Sequence, residues 1–252
     1  MKVGLIIPVT SNKRDWKTIE ETYLYNYTLK TFLLTYDKTD DISYVFYIGY
    51  DQGDKIFDNI DNQNKFVRFI SIMQNVSIEF ICLDSEIEKG HVTKMWNQLF
   101  QYAYDNGCEY FIQIGDDIIF KTKNWAKDCI QILQNRNNIG VSGPLCNNPR
   151  ILTQSIVSRK HMEIFHYYFP PEIRNWFCDD WINEVYASKR MLYVLKNHTC
   201  ENAGGEPRYH INNNTKFTEN MRFNFNVLKN ESKKTIDKGK ETLTAYLKKN
   251  KK

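Results

Sequence analysis

Two adjacent aspartates directly follow an apolar stretch, in the run EYFIQIGDDIIF from Glu109 to Phe120. Asp116 and Asp117 stand at the end of this predicted buried strand, and Gly115 precedes them. Carboxylates are the side chains that hard divalent cations such as Mg²⁺ and Mn²⁺ prefer, with open positions left for phosphate and water. A cation held there can stabilise a phosphate leaving group. The pattern therefore indicates metal-dependent chemistry on a nucleotide.

The sequence argues against a polymerase, the first enzyme class in which a Gly-Asp-Asp of this kind is used. A polymerase palm with fingers and thumb needs far more chain than 252 residues. No upstream Asp-x₄-Asp on a predicted strand supplies the other metal-binding acid. The net charge of +4 is too small to indicate nucleic-acid binding by itself.

A second acidic pair, Asp179-Asp180, lies between two tryptophans, Trp176 and Trp181. A carboxylate in such a place can take the proton of an attacking hydroxyl, and the indole rings can stack on sugar rings. The simpler explanation is a helix start, where an aspartate caps the first turn or adds favourable charge to it.

The elements that position these residues alternate between strand and helix. Apolar runs predict strands over 3–7, 43–48, 78–83 and 110–114, and helical spacing predicts a helix from about 93 to 105. This order predicts a mostly parallel sheet covered by helices, with ligands bound beyond the carboxyl ends of the strands.

Polar residues follow the first two predicted strands and are expected at the same sheet edge as the aspartates. Thr10 and Ser11 could hydrogen-bond a base or ribose, and so could Asp51. Turns at strand ends use the same residue types and explain them equally well. Lys94 and Asn97 stand three apart and share one helix face, which is either a ligand-facing or a solvated face.

The second half of the chain is less regular. It predicts strands over 140–145 and 191–195, a helix capped by Ser158, and a helix opened by Asp179 and Asp180. The basic segment 221–252 is expected to be a peripheral helix or tail that is dispensable for turnover and could bind an acidic partner or a second subunit.

Composition places the chain among soluble proteins. Hydrophobic residues make up 42% and charged residues 25%, and no stretch approaches the roughly 18 apolar residues of a membrane span. The first residues do not form a signal peptide, and the six cysteines contain no C-x-x-C pair, so we expect a cytoplasmic protein with reduced thiols. Heavy use of Asn, Ile, Lys and Tyr is typical of an AT-rich genome, such as that of a large DNA virus.

Over residues 2 to 212 the sequence resembles the GT-A fold glycosyltransferases. The resemblance rests on four stretches in the expected order: KVGLIIPVT, GHVTKMWNQLFQYAYDNGCEYFIQIGDDIIF, NWFCDDWINEVY and HTCENAGGEPRYH. It implies an α/β fold with a Rossmann-like, mostly parallel central sheet. It also implies a domain over 1–220, with nucleotide-sugar binding over about 1–120 and the acceptor side over about 121–220.

The resemblance further implies a metal-dependent, inverting transfer of a sugar from a nucleoside diphosphate sugar, most simply a UDP-sugar, to a hydroxyl of a glycan or protein. Donor contacts would come from Pro8, Thr10, Ser11, Asp51, Lys94, Asn97 and Asp116. Asp117 would bind Mn²⁺ or Mg²⁺. Because Gly115 replaces the usual first acid, a neutral ligand is needed, for which His198 is the first choice and His210 the second.

On the acceptor side, the resemblance implies that Asp180 is the general base, with Asp179 beside it. Arg208 could bind phosphate as a fork, or it could be an ordinary surface arginine.

Two other functions compete with this one. A sugar-nucleotide nucleotidyltransferase has similar architecture but needs a glycine-rich phosphate loop after the first strand, where this chain reads PVTSNKRDW. A non-catalytic sugar-nucleotide-binding protein would explain Gly115.

Overall fold

A central sheet carries the fold. The computed structural model describes residues 1–39, 41–205, 208 and 221–250, with side chains in the last helix from residue 229 onward. The strands within these residues are β1 Lys2–Val9, β2 Ser43–Tyr50, β3 Val76–Cys82, β4 Tyr110–Gln113, β5 Ile118–Phe120, β6 Val141–Leu145, β7 Ser155–Ser158 and β8 Leu192–Asn202. They form one sheet in the order β3-β2-β1-β4-β7-β6-β8-β5.

The sheet is mostly parallel, as the alternation of elements predicted. Its first half, β3-β2-β1-β4, is parallel throughout. Strand β7 then runs antiparallel to both β4 and β6, and β8 is parallel to β6 but antiparallel to β5. The parallel half brings the carboxyl ends of β1, β2 and β4 to one edge, where ligand sites of such sheets lie.

Helices cover both faces of the sheet. Those in the described residues are α1 Lys30–Thr35, α2 Ile60–Ile70, α3 Val92–Asp105, α4 Trp125–Gln134, α5 Arg159–Phe165, α6 Cys178–Ala187 and α7 Met221–Lys249. A 3₁₀ turn at Ile19–Glu21 and a π-helical segment at Leu24–Leu29 lead into α1.

Alternation along β1 divides the core in two. Leu5 and Ile7 are buried in one apolar cluster and Ile6 in the other, because successive side chains of a strand point to opposite faces. A strand buried on both faces reads as a continuous apolar run, which is why β1 was recognisable. Helix α3 covers the Ile6 side with the apolar face that its sequence predicted.

Helix α7 packs on the body of the fold; the sequence predicted a peripheral helix or tail over this segment, and a helix is observed. Its Ile236 and Leu243 are buried in the same cluster as Trp181 of α6. The Trp181 indole N–H donates to the Thr235 carbonyl oxygen at 3.2 Å. The helix that carries the second acidic pair therefore rests on α7.

Within the described part of the chain, the helices are all too short or too polar to cross a lipid bilayer.

Candidate active site

A first cleft opens where β1 and β2 end. It encloses about 310 Å³ and is lined by the residues that follow the two strands, together with one distant lysine: Thr10, Ser11, Asn12, Lys13, Asp51, Gln52, Gly53, Asp54, Lys55 and Lys89. Parallel pairing of β1 with β2 places Val9 beside Tyr50, so the segments after these strands must be neighbours. The sequence prediction that Thr10, Ser11 and Asp51 share one edge is confirmed.

Asp54 ties the two sides of this cleft together. Its carboxylate accepts the hydroxyl of Thr10 at 3.2 Å and the backbone N–H and hydroxyl of Ser11 at 2.6 and 2.8 Å. It also accepts the N–H groups of Ile56 and Phe57. Asp54 therefore shapes the cleft and engages the two hydroxyls that the sequence had assigned to the donor. Sequence pattern gives no signal for this role of Asp54, because its partner Ser11 lies 43 residues earlier in the chain.

Arg208 forms a bidentate ion pair with Asp116, which lies beyond the end of β4. Asp116 is fully buried, and both terminal guanidinium nitrogens of Arg208 contact its two carboxylate oxygens, with Nη1 to Oδ2 at 2.5 Å. The same Nη1 donates to the Thr10 carbonyl oxygen at 3.2 Å. Arg208 is therefore a bidentate partner of Asp116 and not an isolated surface arginine; that it binds phosphate stays a prediction.

Asp117 is crowded by its neighbours. Burial, and then the negative charge of Asp116, raise the pKa of Asp117 to about 6, while the Arg208 cation works in the opposite direction. The backbone carbonyl of Asp117 accepts the N–H of Ala203 at 2.9 Å. A buried Asp117 carboxylate whose pKa is raised beside a second carboxylate favours an additional cation nearby.

Gly115 lies close to the Asp117 carboxylate. A Cβ placed on Gly115 would lie 2.7 Å from Asp117 Oδ1, closer than non-bonded atoms approach. Any side chain at position 115 would therefore displace the Asp117 carboxylate from its present position.

The fit of a divalent cation rests on Asp117. The described residues contain no cluster of three or more His, Cys, Asp or Glu side chains arranged as a complete metal site. Mg²⁺ is often bound by only one or two carboxylates plus substrate phosphates and water. A carboxylate at the strand end suits that mode, in which the donor completes the coordination.

His198 does not lie beside Asp117. It is buried within β8, where Nε2 lies 2.7 Å from Asp128 Oδ2 and Nδ1 lies 3.2 Å from Thr122 Oγ1. The backbone carbonyl of Asp117 instead accepts the N–H of Ala203, the residue that directly follows the last residue of β8. The sequence prediction ended the strand before His198, whereas β8 continues to Asn202. The second choice, His210, lies outside the described residues.

Three further predicted donor contacts have other surroundings. Pro8 lies inside β1, paired with Gly49. Lys94 is exposed on α3. Asn97 accepts the N–H groups of Tyr168 and Phe169, each at 2.9 Å, and donates to the Phe169 carbonyl at 2.7 Å. Asn97 thus holds the segment after α5.

A second cleft, of about 380 Å³, contains the second acidic pair. Its lining includes Gly115 at the end of β4 and residues of the α6 start and the 148–154 loop: Trp96, Gln113, Gly115, Asn148, Arg150, Ile151, Thr153, Gln154, Asn175, Trp176, Phe177, Cys178, Asp179, Asp180 and Asn202. Trp176 is 38% exposed, which leaves part of its ring surface for contact with a ligand.

The two aspartates of this cleft differ in environment. Helix α6 begins at Cys178 after Phe177, so both aspartates lie in its first turn and neither is the N-cap. Burial, and then the charge of Asp180, raise the pKa of Asp179 to about 7. Asp180 forms an ion pair with the exposed Arg150.

Comparisons with known proteins show the fold alone. No protein-family model and no curated protein sequence matches the chain. The structure of S. aureus TarS 1-349 in complex with UDP-GlcNAc is similar at a TM-score of 0.52 and 16% identity, over 82% of this chain and 60% of that one. A second TarS structure gives a TM-score of 0.51 and 15% identity, and the match covers 82% of this chain and 38% of that one. The protein spans less than two thirds of these TarS chains.

A nucleotidyltransferase has the same fold. The structure of a putative glucose-1-phosphate thymidylyltransferase from Bacillus anthracis, in complex with a sucrose, gives a TM-score of 0.52 and 12% identity, over 82% of this chain and 91% of that one. The Rossmann-like GT-A type fold predicted from sequence is confirmed. The same fold is found in TarS and in the thymidylyltransferase.

Proposed function

We propose that this protein is a glycosyltransferase that moves a sugar from a nucleoside diphosphate sugar, most simply a UDP-sugar, to a hydroxyl of a glycan or protein. One observation carries the proposal: Gly115, which directly precedes Asp116 and Asp117, lines the cleft that contains Asp179 and Asp180. A transferase needs one acidic site for the donor diphosphate and another for the acceptor proton. Here the first acidic pair follows directly on a lining residue of the cleft that holds the second.

The reaction assigned to this cleft is a direct displacement with inversion. The acceptor oxygen forms a bond to the anomeric carbon while the bond from that carbon to the diphosphate oxygen breaks, and its electron pair leaves with the diphosphate. The acceptor proton goes to a carboxylate of the Asp179–Asp180 pair. Resemblance favours Asp180 as the base, and the raised pKa of Asp179 is suited to the same role.

The nucleoside is assigned to the first cleft. Asp51 and the backbone around Thr10 and Ser11 offer hydrogen-bonding groups there, and three lysines add positive charge. A divalent cation bound by Asp117 and the donor would supply charge stabilisation to the departing diphosphate. Among the described residues, Asp117 is the one that we assign as a ligand of this cation.

The nucleotidyltransferase alternative lacks its main requirement. Such an enzyme cradles a triphosphate on a glycine-rich loop after its first strand. Here that segment contains Thr10, Ser11 and Asn12 without glycine, and it is fixed to Asp54.

A panel of UDP-, GDP- and dTDP-sugars, with and without Mn²⁺, tests the proposal. A donor that binds the native state raises its melting temperature by mass action, and release of UDP from a UDP-sugar demonstrates turnover. A binding protein without activity would show the thermal shift but no release. Formation of a sugar nucleotide from a nucleoside triphosphate and a sugar phosphate would instead support the nucleotidyltransferase.

A further inference from the structure

The Arg208–Asp116 ion pair adjoins a lining residue of each cleft, Thr10 in the first and Gly115 in the second. Arg208 reaches the Thr10 carbonyl, at the first cleft, and the Asp116 carboxylate, next to Gly115 of the second cleft. A diphosphate that joins a nucleoside in the first cleft to a sugar in the second must cross this boundary. Among the described residues, Arg208 is a cationic side chain that contacts both Thr10 and Asp116 at this boundary.

The geometry of the pair is one that a phosphate can reproduce. A guanidinium presents parallel N–H donors that match carboxylate and phosphate oxygens equally well. Arg208 directs two nitrogens at the two oxygens of Asp116. A diphosphate offers several such oxygens and more negative charge than one carboxylate, so it can compete for the same fork.

The pair is costly as a purely structural contact. Asp116 has no exposed surface and the Arg208 side chain is only 19% exposed. Desolvation of two charges often cancels their attraction, so a buried ion pair is weak evidence for a stabilising role. A ligand-binding role explains why the charges are kept at a cleft boundary.

We infer that Arg208 binds the donor diphosphate, exchanging the carboxylate of Asp116 for phosphate oxygens when the nucleotide enters. This rests on the proposed function and deepens it, because the same cation then faces the charge that develops on the diphosphate as its bond to the anomeric carbon breaks.

Binding of inorganic pyrophosphate and of UDP, in EDTA, tests the inference without acceptor or metal. We expect Arg208→Gln to weaken both by about 10–100-fold, the usual effect of losing a charge-assisted hydrogen bond, and to leave uridine binding unchanged. Arg208→Lys keeps the charge without the fork and should be intermediate. Asp116→Asn removes the competing carboxylate and should strengthen pyrophosphate binding.

Two further variants control the experiment. Arg136→Gln removes an exposed arginine that lies over Tyr193, and it should bind pyrophosphate like the wild type. The double variant Arg208→Gln/Asp116→Asn leaves no unpaired buried charge, so it should fold and still fail to bind pyrophosphate. Wild-type affinity for pyrophosphate and UDP in a folded Arg208→Gln protein would overturn the inference.

The outcome is independent of the transferase assignment. Loss of pyrophosphate affinity in Arg208→Gln, together with absence of sugar transfer by the wild type, would support the diphosphate site and reject the proposed function. Sugar transfer by the wild type, together with unchanged nucleotide binding in Arg208→Gln, would support the proposed function and reject the diphosphate site.

Discussion

Arg150 Nη2 lies 3.6 Å from Asp180 Oδ1 in the second cleft, and the arginine side chain is 71% exposed. An exposed ion pair of this kind contributes little stability, so an acceptor can displace Arg150 and reach Asp180. We expect Asp180→Asn to lower sugar transfer by about 10²–10⁴-fold, the usual contribution of a positioned base. UDP affinity should change little, because the nucleoside is assigned to the other cleft. Transfer rates and calorimetric UDP titration measure the two effects.

Asp179→Asn is the matched control for this variant. Burial raises the pKa of Asp179 to about 7, so its charged form is disfavoured by folding, and Asp179→Asn should not lower the stability at neutral pH. If Asp179 has no part in the reaction, transfer should stay near normal. A larger loss of transfer in Asp179→Asn than in Asp180→Asn would move the base one residue back. In that case the transfer rate should rise with pH through about 7, where the Asp179 carboxyl loses its proton.

Asp117→Asn should abolish Mn²⁺-dependent donor binding and raise the melting temperature of the free protein. Folding raises the pKa of Asp117 from 3.8 to about 6, so the folded state holds this proton more tightly. Stability is therefore lost as pH rises from about 4 to 6, and at pH 7 the penalty is complete. Each kcal/mol relieved corresponds to about 2–4 °C. Thermal scans at pH 7 and pH 4 compare the variant with the wild type, and an undiminished Mn²⁺ effect in the variant contradicts the metal assignment.

The same pKa predicts how metal-dependent binding responds to pH. A proton competes with the cation for the Asp117 carboxylate. Mn²⁺-dependent UDP affinity should therefore be constant above pH 7 and fall by about tenfold per pH unit well below the pKa. Uridine affinity in EDTA serves as the reference, and an equal decline of both ligands would place the titrating group elsewhere.

Asn97→Ala should destabilise the protein without a specific effect on the donor. The variant leaves the two N–H groups and the carbonyl of Tyr168 and Phe169 without their partner. Loss of a partner for one buried polar group costs about 1–3 kcal/mol. The neighbouring Lys94→Ala, on an exposed position of the same helix, should leave the free energy of unfolding near wild type. Denaturant unfolding and UDP titration of both variants measure this, and a donor defect in a fully stable Asn97→Ala protein would restore its predicted role at the donor.

Gly239→Val should loosen α7 from the helix that carries the second acidic pair. A Cβ on Gly239 would lie 2.8 Å from both Trp181 Nε1 and Val185 Cγ2, so the two helices must separate to accommodate valine. We expect overpacking to cost about 1–3 kcal/mol and to impair transfer more than UDP binding. Lys238→Val, at the adjacent exposed position, is the control. Wild-type stability of Gly239→Val would contradict close packing of α7 against α6 at this position.

Elements with strong local periodicity were predictable from sequence. The continuous apolar runs of β1 and β2, the apolar face of α3, the Ser158 cap and the start of α6 at the second acidic pair all emerged within a few residues of their observed bounds. Strands β5 and β7 were missed, because each has only three or four residues between polar neighbours, whereas the equally short β4 lies in a longer apolar run.

The contacts that define the site were not predictable, because they join distant parts of the chain. Arg208 and Asp116 are 92 residues apart, and His198 and Asp128 are 70 apart. Asn97 illustrates the same difficulty: the sequence offered a ligand-facing or a solvated helix face, whereas its partners come from a loop with no periodic signal. Residue type indicated which groups could do chemistry, and only the fold decided which of them meet.

The lysines of the first cleft have a kinetic consequence. Lys13, Lys55 and Lys89 come from three separate segments and converge on one opening. Their combined field attracts an anion before any contact forms and accelerates its encounter with the protein. Dissolved salt weakens such a field over a screening length of about 8 Å at physiological ionic strength. Capture of an anionic nucleotide will therefore slow as salt is added, while its departure, governed by short-range contacts, will change much less.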